Sequence, residues 1–194
     1  ADSAPFPWWR DMQITVSLPE GYHGDLELHI DGGAIRLPGN QQFRQVETRI
    51  GSGFLYLEDC TAENLEVNLY GGELEIGRLD AALELENNYG KAEVRALAGG
   101  ASISQQGGSL DLAVEKLSGP IRLDMQDSEA ALALPKDAAA TVYLLAEDGK
   151  LDQRCASFDG LSNNVVVQGI LNGGGESISG EITRGTLMVR DKVA

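Results

Sequence analysis

Cysteine, aromatic side chains, positive charge and long apolar runs are all scarce in this chain, and each shortage narrows what it can be. Cys60 and Cys155 are the only cysteines, too few for a disulfide scaffold and without the C-x-x-C spacing of a zinc or redox centre, so the redox compartment stays open. The longest apolar candidate, residues 130–146, is interrupted by Lys136 and Asp137, short of the roughly 18 residues of a membrane-spanning helix. Against 30 Asp and Glu there are 15 Lys and Arg, a formal net charge of −15 over 194 residues. So acidic a chain is repelled by phosphate backbones, which sets nucleic acid aside as a partner. Enzyme signatures are missing too: no G-x-S-x-G elbow, no P-loop around Gly90-Lys91 or Gly149-Lys150, no H-E-x-x-H. His23 and His29 are six residues apart, a spacing that suits neither helical nor strand-pair ligation, so no metal centre and no cofactor is expected.

Glycine, by contrast, is abundant, at 24 residues, while aromatics make up 6% and hydrophobic residues 42%. That combination describes one globular, core-forming domain with many tight turns between short strands. The glycines are ordered. A motif Gly-x-Φ-x-Φ, with Φ apolar, recurs at Gly33-Ala-Ile35-Arg-Leu37, Gly53-Phe-Leu55-Tyr-Leu57, Gly72-Glu-Leu74-Glu-Ile76, Gly90-Lys-Ala92-Glu-Val94, Gly108-Ser-Leu110-Asp-Leu112, Ser128-Glu-Ala130-Ala-Leu132, Gly149-Lys-Leu151-Asp-Gln153 and Gly185-Thr-Leu187-Met-Val189. Period-two alternation places each Φ pair on one face of a short strand.

A second series precedes the first in lockstep: Leu26, Val46, Leu65, Leu83, Ala101, Ile121, Val142 and Ile178 each stand nine residues before Ile35, Leu55, Leu74, Ala92, Leu110, Ala130, Leu151 and Leu187. Successive units are 18 to 21 residues apart over the first seven, so length varies at one corner only. Two strands, a fixed corner and a variable corner make one coil of a β-solenoid. An antiparallel meander has no reason to mark alternate connections with glycine. The expected fold is therefore an all-β, single-domain β-solenoid of about eight to nine coils, with two short strands per coil, stacked in chain order at about 4.8 Å. Within it, residues 1–20 are read as an N-terminal cap and first strand, starting at Met12-Gln-Ile14-Thr-Val16-Ser-Leu18. Residues 21–153 are regular coils, 154–175 an irregular coil or excursion, and 176–194 the final coil.

The chain begins Ala1-Asp2-Ser3 without an initiator Met, which is read as the mark of an upstream segment cut away by signal processing or design. Trp8-Trp9 then has two readings: an interfacial anchor beside a removed membrane tether, or rings that cover an open end of the core.

With the opening Ile14-Thr-Val16-Ser-Leu18-Pro19-Glu-Gly21, the repeated Gly-x-Φ-x-Φ, Ala133-Leu134-Pro135-Lys136 before a Val/Leu strand, and the closing Gly173-Gly-Gly175 ahead of Gly185-Thr-Leu187-Met-Val189, the chain resembles the bacterial adhesin-like family. That family is a widespread β-solenoid domain of unknown function, often tethered outside the cell. The resemblance covers nearly the whole chain and implies the fold and a cell-envelope or extracellular location; it supplies no catalytic residues.

Two surface features stand out. Glu27, Glu47, Glu66 and Glu84 hold the same outward position in four successive coils, and Glu75, Glu93 and Asp111 do so on the other strand series. The bland reading is a solvated face that discourages lateral association; the sharper one is a surface for cations or a basic partner, although the Asp-rich calcium nonapeptide is absent. Phe54 and Tyr56 flank the inward Leu55 and so point outward, with Tyr70 and Tyr89 at the next corners. They form a candidate surface for an unknown protein or glycan partner, or else stack on cross-rung neighbours. The function expected is a non-enzymatic display or interaction module of the cell envelope. The alternatives are a small carbohydrate-active β-helix enzyme, against which stands the lack of any outward cluster combining acid pairs with Arg or Lys, and an envelope-stress sensor or accessory domain.

The repeat also decides the cysteines. Cys60 and Cys155 fall at the same corner five coils apart, roughly 24 Å along a rod with 4.8 Å rungs, whereas a disulfide needs Cα atoms within about 7 Å. Titration of the denatured, unreduced monomer should find two free thiols; an intramolecular bridge seen by mass spectrometry would refute the stacked register.

Overall fold

The computed structural model describes residues 16–19 and 21–192. Trp8-Trp9 and the start of the expected opening strand lie outside the described residues. Val16, Ser17 and Leu18 belong to no strand, with Val16 78% exposed. The Pro19-Gly21 turn is present, closed by the Tyr22 N–H donating to Pro19 O at 3.1 Å.

The described residues form strands and connections without a helix: β1 (Leu26–Ile30), β2 (Ala34–Leu37), β3 (Gln41–Gln42), β4 (Gln45–Ile50), β5 (Phe54–Tyr70), β6 (Glu73–Asn88), β7 (Lys91–Gln106), β8 (Ser109–Gln126), β9 (Glu129–Leu134), β10 (Ala140–Glu147), β11 (Lys150–Gln153), β12 (Phe158–Ser162), β13 (Val166–Leu171), β14 (Glu176–Thr183) and β15 (Thr186–Asp191). All belong to one sheet that coils on itself as a β-solenoid. Both repeat series become parallel ladders. The first runs Leu26, Val46, Leu65, Leu83, Ala101, Ile121, Ile178, Val142. The second runs Ile35, Leu55, Leu74, Ala92, Leu110, Ala130, Leu187, Leu151.

Three expectations need correction. About five turns wind in succession, so eight to nine coils overstates the count: β1 and β2 form a half-buried edge, and the two last strand pairs, β10/β11 and β14/β15, join the stack outside that succession. Those pairs also break chain order. β14 and β15 lie between β8/β9 and β10/β11, placing Ile178 between Ile121 and Val142. Nor are there two short strands per coil. β5 to β8 are 16 to 18 residues long, each running from the second series of one turn into the first series of the next. Between those two faces they make a third wall, whose inward residues Cys60, Leu79, Leu97 and Val114 form a buried ladder of their own. Register shifts at Thr61/Asn64 and Gly99/Ala101 absorb the length variation at this wall, as bulges do where one strand carries an extra residue.

Residues 154–175 contain the antiparallel hairpin β12–β13, which pairs with β10 and covers the last rung. At the fixed corner, a Cβ on Gly108 would stand 2.1 Å from Gly90 O, and Gly108 also has φ +69°, so only glycine passes there. One polar residue inside is satisfied by this corner: the buried Asn87 accepts the Gly90 N–H at 2.9 Å and donates to Gly90 O at 3.2 Å. Gln105, one rung on and 2% exposed, has no hydrogen-bond partner for its side-chain amide among the described residues.

Cys60 and Cys155 are both free and buried. Burial first, and Asp59 second, pushes the Cys60 thiol up to about 11; burial, then Asp191, does the same for Cys155.

Leu83 is 2% exposed between Leu65 and Ala101 in the first ladder. Leu83→Ala removes its packing on both rungs and should cost about 2 to 5 kcal/mol, read as a lower urea midpoint; an unchanged midpoint would mean the ladder does not carry the core.

Candidate functional site

The outward positions follow from the same ladders. Phe54 and Tyr56 project from the second face, and Arg36, in register with Tyr56 one rung before it, lays its guanidinium over both rings at 5.8 and 5.4 Å. A cation over an aromatic face is attracted by the ring quadrupole. On the next rung, Phe54 and Tyr56 meet Glu73 and Glu75, which bond Lys91 at 2.7 Å and Arg95 at 2.5 Å. Arg95 also reaches Glu93 at 2.8 Å. An outward cluster combining an acid pair with Arg therefore exists, contrary to the sequence reading. It forms because Arg95 stands two residues along the strand from Glu93, itself the register partner of Glu75.

Tyr89 takes a different place. It occupies the corner position before Gly90 and has φ +65°, in line with Gly71 (+81°) and Gly107 (+68°) on the rungs either side. Tyrosine pays for that backbone in steric strain that glycine does not feel. Its ring lies against Gly107, where an added Cβ would meet the Tyr89 Cδ1 at 2.5 Å, and the residue is 68% exposed. Phe54 and Tyr89 line one open groove of about 570 Å³ whose floor is the glycine corner, Gly53, Gly72, Gly90 and Gly108 among others, with Glu73 and Lys91 at its side. Tyr70 is exposed, at the end of β5 in register with Asn88, and does not line that groove.

Glu27, Glu47, Glu66 and Glu84 do form a ladder in strict register, which continues as Ser102 and Arg122. It runs on the first face, across the glycine corner from Phe54 and Tyr56, so the structure does not join the acidic and aromatic candidates into one surface. Its neighbours temper it: Arg49 bonds Glu47 at 2.9 Å and Asn68 donates to Glu66 at 3.4 Å. Arg36, Lys91 and Arg95 are the residues the sequence reading left out. The signal was present for Arg36, which sits one repeat before Tyr56.

The same corner carries a charged pair further along. Asp127 and Arg184 both have left-handed backbones, φ +51° and +52°, and Arg184 donates to both Asp127 carboxylate oxygens at 2.8 Å. Those hydrogen bonds, more than the charge alone, hold the Asp127 carboxyl below its ordinary range.

Ladders, corner and groove define a β-solenoid domain with open outer faces. The comparison with known families takes this one step further. Residues 5–177 match the family described as Toastrack DUF4097, and the chain belongs to that family, whose function is unknown. The match supports the solenoid that the adhesin-like resemblance implied, and does not carry the adhesin role. No curated protein and no solved structure matches the chain.

A carboxyl group whose folded pKa is depressed stabilises the fold above its unfolded pKa, about 3.9, and that contribution is lost as pH falls through the folded value. The urea midpoint of Arg184→Gln should therefore sit below that of the unsubstituted chain at pH 6, and the gap should close as pH drops below about 4. A gap independent of pH would show that the pair contributes through packing and not through ionisation.

Proposed function

We propose that this chain is a non-enzymatic interaction module of the bacterial cell envelope, adhesin-like in that one side of a stiff solenoid is offered to a glycan or protein partner. The groove beside Tyr89 is its contact surface. What supports this reading is the conformation of Tyr89: a bulky residue held in the left-handed region with its ring exposed, where both flanking rungs use glycine. Strain of this kind is kept where a side chain has to be presented. Tyr89, Phe54 and the backbone of the glycine corner line a groove that suits the flat apolar face of a sugar ring, with the Glu73–Lys91 ion pair at its side as a polar contact for hydroxyl groups. The envelope location rests on the family resemblance.

The enzyme alternative gains one observation, the Arg95 bridge between Glu75 and Glu93. That cluster lies on an outer face, where both carboxylates are already engaged by one guanidinium, a poor arrangement for a proton donor.

A panel of envelope polysaccharides assayed for binding and for turnover tests both readings. Binding without turnover is expected, and Tyr89→Gly should weaken it about tenfold, the scale of one lost aromatic stack. Because glycine relieves the left-handed strain, the same variant should keep or raise its melting temperature. Binding unaffected by Tyr89→Gly would remove the groove as the contact surface, and turnover would favour the enzyme.

A further inference from the structure

The last coil in chain order, β14 and β15, occupies an interior rung. After β9 ends at Leu134, residues 135–139 carry the chain past one rung before β10 begins at Ala140, turned by the Ala138 N–H donating to Pro135 O at 3.0 Å. β10 and β11 thus take their place two rungs from β8 and β9. β14 and β15 fill the rung between, in parallel register with both sides. The connection into this rung is Asn172-Gly173-Gly174-Gly175, with φ of +47°, +87° and +87° at its first three residues. The Asn172 side-chain amide donates to Lys136 O and Ala138 O at 2.9 and 2.8 Å, latching the hinge to the crossing loop.

We propose that this rung is a strand-acceptor slot that takes residues 176–191 of a second copy, giving a strand-exchanged dimer. Steric demands specify the occupant. A Cβ at Gly180 would lie 2.5 Å from Leu123 O, and one at Gly185 2.5 Å from Ser128 O. Ile178, Ile182, Leu187 and Val189 fill the core, and Arg184 meets Asp127. An arbitrary β-strand fails at the two glycines, whereas the same coil from another copy meets every requirement. Until the slot is filled, β8/β9 and β10/β11 each present an unpaired parallel edge, the feature that recruits strands from other chains. The exchanged and closed forms make the same pairs, with the glycine hinge extended in one and folded in the other, so protein concentration sets the balance.

Glu129 and Thr186 face each other in register across the slot. Full-length Glu129→Cys and Thr186→Cys chains, unfolded, mixed and refolded together under oxidation at about 100 µM, should give a covalent dimer whose linked peptides carry positions 129 and 186 from different chains. In parallel, the dimer fraction of the unsubstituted chain on size exclusion should rise with refolding concentration. The double variant Glu129→Cys/Thr186→Cys, refolded dilute, should close the same link within one chain. If the double variant closes its link and the mixture yields only monomers without the interchain link, exchange does not occur. A double variant unable to form the link would overturn the slot itself.

Discussion

Parallel pairing in register is the constraint from which the rest of this molecule follows. Rungs about 4.8 Å apart put every residue against its equivalent above and below, so a position is good or bad for the whole column at once. Inward columns must be apolar throughout, as the Leu55 and Leu65 columns are. Outward columns of like charge repel by about 1 kcal/mol per neighbour in water, whereas burying one leucine yields about 1.5 to 3 kcal/mol. The core therefore dictates the stacking and the surface adapts to it. That adaptation is visible in Arg95 between Glu75 and Glu93, and in Arg122 ending the run of glutamates that starts at Glu27.

The constraint also explains what could be read from the sequence. A nine-residue offset repeated eight times identifies both ladders residue by residue, and every pair it implied between Leu26 and Leu132 is observed. Rung order at the end was not legible, for the same reason. Residues 142–151 and 178–187 carry the same pattern, so either satisfies the edge of β8 and β9, and the pattern names the occupants of a rung without ranking them. Sterics break the tie: Gly180 fits against Leu123 O, where residues 140–147 offer Leu144. The third wall was hidden differently. Cys60, Leu79, Leu97 and Val114 are single inward residues beside bulges, and a lone apolar residue has no period to detect.

Much of the candidate surface was legible as direction and little of it as association. Alternation places Phe54 and Tyr56 outside, yet their partner Arg36 comes from the rung before, and Tyr89 joins Phe54 only because the corner folds the two onto one groove. The unusual status of Tyr89 was readable in principle. It stands at the left-handed corner position held by Gly71 and Gly107 on the flanking rungs and by Asp127, Arg184 and Asp148 further along, and among these it is the aromatic one.

Ser128 breaks the glycine column that runs through Gly53, Gly72, Gly90, Gly108 and Gly185. The N–H donated to the rung before spans 2.9 Å for Glu73 to Gly53, 3.0 Å for Lys91 to Gly72, 3.1 Å for Ser109 to Gly90, and 3.3 Å for Glu129 to Gly108, falling back to 2.9 Å for Thr186 to Ser128. The long bond belongs to the one junction where a side chain is present on the later rung. A Cβ at this place points at the carbonyl of the preceding rung, as it would at Gly72 against Gly53 O at 2.6 Å, and Ser128 carries that Cβ. Its hydroxyl is buried with no partner among the described residues, and an unpaired buried polar group costs about 1 to 3 kcal/mol. Next to it, Asp127 and Arg184 tie the same corner to the inserted C-terminal coil from outside. An exposed ion pair offsets only part of such a cost. The corner beside the inserted rung thus combines an unpaired buried hydroxyl with an exposed ion pair, and the coil of β14 and β15 lies against it.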